Sequence, residues 1–194
     1  MIQSKKDYLA YLEADRIALG KKKRTFKSKL IDLIAPDYIW KFQRLLRKLE
    51  YYKNTKKNLL DKIYIIYLRI KFRKLSLKLG FSICDNVFGP GLAIIHYGTI
   101  VVNDHAKIGS NCRIHACTNI GASNGTNFAP QIGDNVYIGP GVKMFGAISI
   151  PNNTVIGANS TVNKSFTEEN TLIAGSPAKF IKYIDVKNII KHLN

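Results

Sequence analysis

A six-residue repeat of aliphatic side chains runs through the second half of this chain. Ten positions spaced by six carry Val, Ile or Met, and the pattern skips one slot, at residue 126. A small or β-branched residue often stands four positions further on. Self-similarity at a fixed period is typical of architectures in which each repeat buries its apolar face against its neighbours. The aliphatic positions are Val102, Ile108, Ile114, Ile120, Ile132, Ile138, Met144, Ile150, Ile156 and Val162.

The period of six predicts a parallel β-helix with a triangular cross-section. Each side of the triangle is a short strand that points one aliphatic side chain to the interior, while glycine or asparagine fits the tight corners. Three sides then close one coil of about 18 residues. Ten positions in phase disfavour a run of ordinary, unrelated strands. The sequence therefore predicts a mainly β fold built on a parallel β-helix.

Two interruptions of the period predict functional segments. The polar, turn-rich residues 122–131 span the skipped slot, and we expect them to form a loop expelled from the coil, a common place for functional residues. Upstream, Ile94 and Val102 are eight residues apart instead of six, so the coil has to bulge between them. His96 lies in this bulge. We therefore expect its side chain to leave the apolar interior and face outward.

A composition boundary near Gly80 divides the chain. The first 80 residues hold 22 of the 30 Lys and Arg residues but only 7 of the 13 Asp and Glu residues, in a chain of net charge +17. This asymmetry separates a helical part from the repeats. The predicted segments are a basic α-helical region over 1–80, the β-helix over 81–183 with its expelled loop over 122–131, and a helical tail over 184–194.

Helical periodicity predicts three helices in the basic region. They cover residues 4–19, a stretch that begins near Pro36, and residues 59–79, with a basic connector over 21–29. In the last of these, the apolar positions at helical spacing are Leu59, Ile63, Ile66 and Ile70, and long basic side chains occupy much of the remaining surface. The region is thus expected to be helical, basic and amphipathic.

The cysteines and the apolar stretches predict a cytoplasmic protein. An odd set of three cysteines without close spacing favours buried, reduced thiols and no disulfide framework. The first residues lack the apolar run of a signal peptide, and the stretch 59–70 is too short and too charged to span a bilayer. The cysteines are Cys84, Cys112 and Cys117.

The β-helical segment resembles the serine acetyltransferase branch of the hexapeptide-repeat acyltransferases, whose β-helix is left-handed. Within that branch it looks closer to the O-acetyltransferases of capsule and O-antigen biosynthesis. The resemblance implies transfer of an acetyl group from acetyl-CoA to a hydroxyl, by a homotrimer that holds acetyl-CoA in grooves between neighbouring β-helices. The passages that carry the resemblance are 89–98, 112–115, 132–139 and 174–179.

The resemblance also implies the site residues. His96 stands where the family keeps its general base, and an imidazole suits that task at neutral pH. His115 follows one coil later, and it either orients the acceptor beside His96 or is a corner residue satisfied by a carbonyl. The spacing of these two residues and His105 does not match a zinc site, so no metal is expected. The family pattern places the acetyl-CoA contacts at Ala122, Pro140, Gly141, Ala158 and Lys179.

Departures from the family pattern change the expected acceptor. Ile95 stands where serine acetyltransferases have an acidic residue before the base, and Phe128 and Ala129 replace an Arg-His pair. A site for an amino acid needs charges that pair with its carboxylate and ammonium. The expected acceptor is therefore a sugar hydroxyl of a bacterial surface polysaccharide or its precursor. The alternative is a serine O-acetyltransferase of cysteine biosynthesis.

The basic helices leave the partner of the region open. They can hold the protein at the anionic inner face of the membrane or against an acidic polysaccharide, or they can form a solvated cap on the trimer. A nucleic-acid-binding or scaffolding protein is disfavoured, because the Lys and Arg residues follow no recognisable reading motif.

Overall fold

The computed structural model describes residues 1–23, 25, 30, 32, 34–123, 125 and 127–194. Most of the predicted basic connector, residues 21–29, lies outside the described residues, and so does the skipped repeat slot at 126. The described part folds into a helical region followed by a parallel β-helix, as the repeat predicts. The domain boundaries and the left hand of the coil remain predictions.

The helical region contains α1 (Lys5–Ala18), α2 (Tyr38–Thr55) and α3 (Leu59–Leu79), which agree with the predicted helices. Each begins at a residue whose side chain accepts a hydrogen bond from a backbone N–H of the first turn, which satisfies a group that has no partner within the helix. These N-cap residues are Ser4, Asp37 and Asn58. Helix α3 ends at Gly80, which adopts the left-handed conformation at φ +77°.

The strands of the β-helix form three sheets. The first sheet has the order β1-β3-β6-β9-β12, the second β10-β7-β4 and the third β14-β13-β11-β8-β5-β2. The strands are β1 (Phe81–Ile83), β2 (Ala93–Ile94), β3 (Ile100–Val102), β4 (Lys107–Ile108), β5 (Arg113–Ile114), β6 (Thr118–Gly121), β7 (Gln131–Ile132), β8 (Tyr137–Ile138), β9 (Lys143–Phe145), β10 (Ser149–Ile150), β11 (Val155–Ile156), β12 (Thr161–Val162), β13 (Thr171–Gly175) and β14 (Ala178–Tyr183).

The strand register stacks the repeat in the interior. Ile108 pairs with Ile132, and Ile114 pairs with Ile138, so equivalent residues of successive coils lie in neighbouring strands. All ten aliphatic repeat positions are at most 5% exposed, which confirms the prediction. The last strand departs from the parallel order of the coils, since β14 folds back antiparallel on β13 as a hairpin.

Asparagines form one row of corners. Asn111, Asn135 and Asn153 adopt left-handed φ values of +57°, +58° and +56°. Their side chains form a ladder, in which each amide donates to the oxygen of the next at 2.9 and 2.8 Å. The glycines that follow the aliphatic residues lie where one coil approaches the next. A Cβ on Gly139 would lie 2.8 Å from the backbone oxygen of Ile156, so the coils approach too closely there for a side chain.

A buried ionic cluster joins the helices to the β-helix. Arg47 of α2 is fully buried and donates to Asp15 of α1 at 2.8 Å and to Glu50 at 3.0 Å. Arg47 and Asp15 also bind the backbone of the first coil. The groups contacted there are the carbonyls of Phe88 and Gly89, which accept from Arg47, and the N–H groups of Gly91 and Leu92, which donate to Asp15.

The predicted apolar face of α3 is not the side that packs into the fold. The residues that α3 buries lie on the opposite side of the helix, where α2 and β1 pack against it. They are Leu68, Phe72, Leu75 and Leu79. The predicted face is instead exposed to solvent, because α3 carries apolar residues on both sides and only one of them has a partner in the described fold. Leu59, Ile63, Ile66 and Ile70 are 73, 58, 60 and 52% exposed.

Two smaller expectations also need correction. Only Cys112 is buried, whereas Cys84 and Cys117 are exposed because they follow strands or occupy turns. Gln131 belongs to β7, so the expelled loop ends before it.

The tail after β14 consists of two 3-10 turns, Val186–Asn188 and Lys191–Leu193. Among the helices of the described ranges, none has the length and apolar character needed to cross a membrane.

Candidate active site

One edge of the β-helix collects both predicted histidines. At this edge, strands of the third sheet lead into strands of the first through the turns 95–99, 115–117, 139–142 and 157–160, and the β13–β14 hairpin continues the row. We call these turns the histidine edge. The predicted residues take successive places along it. His96 is in the first turn, His115 in the second, Pro140 and Gly141 in the third, Ala158 in the fourth, and Lys179 in β14, just after the turn of the hairpin.

His96 projects from the bulge into solvent, as the sequence predicts. Ile94 and Ile100 on either side of the bulge are fully buried, and the residues between them leave the interior. The bulge is held by the end of α3, since the N–H of Gly98 donates to the carbonyl of Leu79 at 3.0 Å. The helical region therefore positions the turn that carries the candidate base.

His115 lies beside His96 and contacts a backbone carbonyl, whereas its role toward an acceptor stays a prediction. The two ring centroids are 6.3 Å apart, so the rings lie side by side on this edge. Nδ1 of His115 lies 3.0 Å from the carbonyl of Ile138. Because a carbonyl only accepts, Nδ1 carries the proton of the neutral ring and Nε2 is left as the acceptor. Burial lowers the pKa of His115, and Arg113 and His96 lower it further, while the hydrogen bond to Ile138 opposes them.

Tyr137 supports His115 from the outer face of the third sheet, and sequence reasoning missed it. The two ring centroids are 4.9 Å apart. Tyr137 in turn packs against the cluster formed by Val155 and the tail residues Val186 and Ile190. The signal was present in the repeat, since Tyr137 stands one position before an aliphatic residue and so has to face outward from its strand.

A second overlooked group is a cation at the same edge. Lys143 of β9 is exposed, and its ammonium donates to the carbonyl of Cys117, two residues after His115. A positive charge therefore lies at the turn that carries His115. Lys179 is exposed in β14, at the other end of the third sheet from His96. The histidine edge thus has one basic group in its middle part and one at the end far from His96.

Ala122 does not join the other predicted residues. It follows β6 of the first sheet, so it lies at the next edge of the triangle, where the expelled loop begins. Its side chain is half-buried against the main core. Phe128, in the same loop, is 67% exposed. A single chain therefore divides the predicted residues between two edges.

Two grooves in the described part of the chain lie away from the histidines. A groove of 590 Å³ follows the second sheet, and its lining includes Tyr11, Gly109 and Asp134. A second, of 310 Å³, lies beside the expelled loop and is lined in part by His105 and Phe128. Neither groove is lined by His96 or His115, and His96 is exposed on its edge of the single chain. Within the described ranges, no group of three His, Cys, Asp or Glu side chains is placed to hold a metal ion.

Comparison of the sequence with known proteins matches about half of the chain. No family model matches the chain. Serine acetyltransferase of Staphylococcus aureus strain N315 is 35% identical over 101 residues, which are 51% of this chain and 47% of that protein. The chain thus aligns with about half the length of the curated relatives it matches.

Solved structures match over a longer part of the chain. Serine acetyltransferase from Brucella abortus strain S19 matches with a TM-score of 0.70 at 22% identity, covering 93% of this chain and 71% of that one. The same enzyme in complex with coenzyme A matches with a TM-score of 0.68 at 22% identity, covering 93% and 70%. The chain therefore has the serine acetyltransferase-like hexapeptide-repeat acyltransferase fold.

These comparisons correct the expected acceptor. The prediction of a surface-polysaccharide sugar is wrong, because the relatives matched by sequence and the structures matched by fold are serine acetyltransferases. They favour the serine O-acetyltransferase alternative. The prediction rested on missing charges at Ile95, Phe128 and Ala129, but Lys143 brings a charge to the histidine edge from a strand that those positions do not include.

Proposed function

We propose that this protein is an acetyl-CoA-dependent serine O-acetyltransferase. The observation that carries the proposal is the pair formed by an exposed His96 and a half-buried His115, with ring centroids 6.3 Å apart, on one edge of a serine acetyltransferase-like fold. The relatives matched by sequence bear the same activity in their names, which supports it.

The histidine edge fits acetyl-CoA as co-substrate. Its turns present small residues, since Gly98, Ala116, Gly141 and Ala158 leave the backbone accessible to a narrow pantetheine chain. Strands of a sheet are about 4.8 Å apart, so the edge runs for about 24 Å from His96 to the last strand of the third sheet. Lys179 stands there as a partner for a phosphate of CoA.

His96 acts as the general base in this proposal. It removes the proton of the serine hydroxyl while the oxygen bonds to the acetyl carbon, and it returns that proton to the sulfur when the carbon–sulfur bond breaks. His115 remains neutral because its pKa is lowered, so it adds no positive charge beside the protonated His96. Its Nε2 is free to accept from the substrate's ammonium, and Lys143 is placed to donate to the carboxylate.

A homotrimer would complete the groove. Ala122 and the expelled loop lie on a different edge from His96, so one chain cannot bring them to the same ligand. If neighbouring β-helices pack side by side, the loop edge of one faces the histidine edge of the next. This arrangement encloses a surface that is open in the single chain.

The decisive experiment measures the release of CoA thiol from acetyl-CoA in the presence of L-serine. We expect turnover with L-serine, and we expect His96→Ala to lower kcat by about 10²–10⁴-fold while leaving the affinity for CoA unchanged. Since His96 is exposed, the variant should retain the wild-type circular dichroism spectrum.

Lys107→Ala is the control. Lys107 is an exposed basic residue on the second sheet of the same β-helix, and its replacement should leave kcat within about twofold. Near-normal turnover by His96→Ala would refute the role of His96. Absence of serine-dependent CoA release by the wild-type protein would refute the proposed activity.

A further inference from the structure

The exposed side of α3 is an apolar stripe bordered by basic residues. At 3.6 residues per turn, the side chains of the stripe fall within an arc of about 60° and extend along about 27 Å of helix. We call this set the α3 stripe. It consists of Leu59, Ile63, Ile66, Ile70 and Leu77, which are 52–77% exposed.

Basic residues follow the α3 stripe on both sides. On the same helical wheel, one flank carries Lys62, Arg69 and Arg73, and the other carries Lys71, Lys74 and Lys78. All six side chains are exposed. The sequence of α3 contains a single acidic residue, Asp61, in its first turn. Tyr67 is 46% exposed next to the stripe and lies under the ammonium of Lys71, at 4.5 Å.

The opposite side of α3 already has its partner. Leu68, Phe72, Leu75 and Leu79 pack into the core, so the fold does not need the stripe for its own stability. Exposing an apolar face of this size to water is unfavourable, and such faces are typical of contact surfaces. Any partner of the α3 stripe has to accept six positive charges along its borders.

We propose that the α3 stripe docks the protein on an anionic lipid surface. A helix with an apolar face and flanking Lys and Arg residues lies in the interface plane, with its aliphatic side chains among the acyl chains and its basic side chains at the headgroups. A second copy of the chain fits less well, because two α3 stripes in contact would bring basic flanks against basic flanks. The inference concerns a surface of the helical region and does not depend on the proposed acetyl transfer.

Co-sedimentation with vesicles tests the proposal. We expect the full-length protein to sediment with vesicles of phosphatidylcholine containing about one third phosphatidylglycerol, and to stay in the supernatant with phosphatidylcholine alone. Each Lys or Arg near an anionic surface contributes about fivefold to the partition coefficient at low salt. The variant Arg73→Gln/Lys74→Gln should therefore bind about thirtyfold more weakly, and the difference should shrink in high salt.

A second pair of variants tests the apolar part. Ile63→Asn/Ile66→Asn should abolish sedimentation with the anionic vesicles, and because both residues are exposed, the fold should be retained. Ile181→Asn is the matched control, since Ile181 is 53% exposed on β14, far along the chain from α3. It should bind vesicles as the wild type does.

Two results would overturn the inference. The first is binding that is equally strong on neutral and anionic vesicles, or absent from both. The second is a decrease in the solution mass of Ile63→Asn/Ile66→Asn by sedimentation velocity, since this would mean that the α3 stripe is covered by another copy of the chain. An unchanged mass together with lost vesicle binding supports docking on lipid.

Discussion

Removal of Arg47 should strongly destabilise the protein. Arg47 is fully buried, and its loss would leave the carboxylates of Asp15 and Glu50, which are 0 and 1% exposed, without their cation. Breaking a buried ion pair from one side costs about 3–5 kcal/mol. Two carbonyls of the first coil would also lose donors, so we expect Arg47→Ala to fall in the upper part of this range.

Urea unfolding measures the effect. With a urea dependence of about 2–3 kcal/mol per molar, a loss of about 4 kcal/mol would lower the midpoint by about 1.3–2 M. Circular dichroism reports the whole fold and Trp40 fluorescence reports α2, and both should show the same shift. Protein concentration must be held constant, because unfolding of an oligomer depends on it.

Two further variants test the reasoning. Arg69→Ala is the matched control, since Arg69 is 54% exposed and lies 3.7 Å from Asp85, and its loss should cost less than about 1 kcal/mol. The neutral variant Asp15→Asn/Arg47→Met/Glu50→Gln leaves no buried charge unpaired and should be more stable than Arg47→Ala. A change below about 1 kcal/mol for Arg47→Ala, or a neutral variant that is no more stable, would refute the explanation.

The other predictions concern the histidine edge. Burial lowers the pKa of His115, so the unfolded chain binds a proton that the folded protein excludes. The stability that the neutral ring contributes is therefore present above the ordinary pKa of 6.5, and it is lost as the pH falls through the lowered pKa. His115→Asn should therefore lose less stability than the wild type between about pH 7 and pH 5 in urea titrations, and equal losses would contradict this. Lys143→Met should raise the KM for L-serine about tenfold or more with kcat little changed, whereas Lys107→Met, on the second sheet, should leave both unchanged. A normal KM for Lys143→Met would exclude Lys143 from the carboxylate site.

The sequence by itself determined the β-helix and the position of its candidate base. The six-residue period is a local rule, because each aliphatic residue enters the interior at the same point of every coil, and the ten positions are buried accordingly. The extra residues before Val102 placed His96 on the outside. The coil length placed His115 next to it, since residues one coil apart in sequence are neighbours in space.

Only the tertiary structure decided what each charged or apolar residue of the helices does. Arg47 has the sequence context of an exposed basic residue, but its partner Asp15 lies 32 positions away, and no periodicity encodes such a contact. The same applies to α3, whose two apolar faces look alike in sequence until packing against α2 and β1 covers one of them. The carbonyl of Ile138, which the neighbouring coil supplies, decides which nitrogen of the neutral His115 ring carries the proton. Repetition specifies local structure residue by residue, whereas burial and charge pairing depend on which distant segments meet.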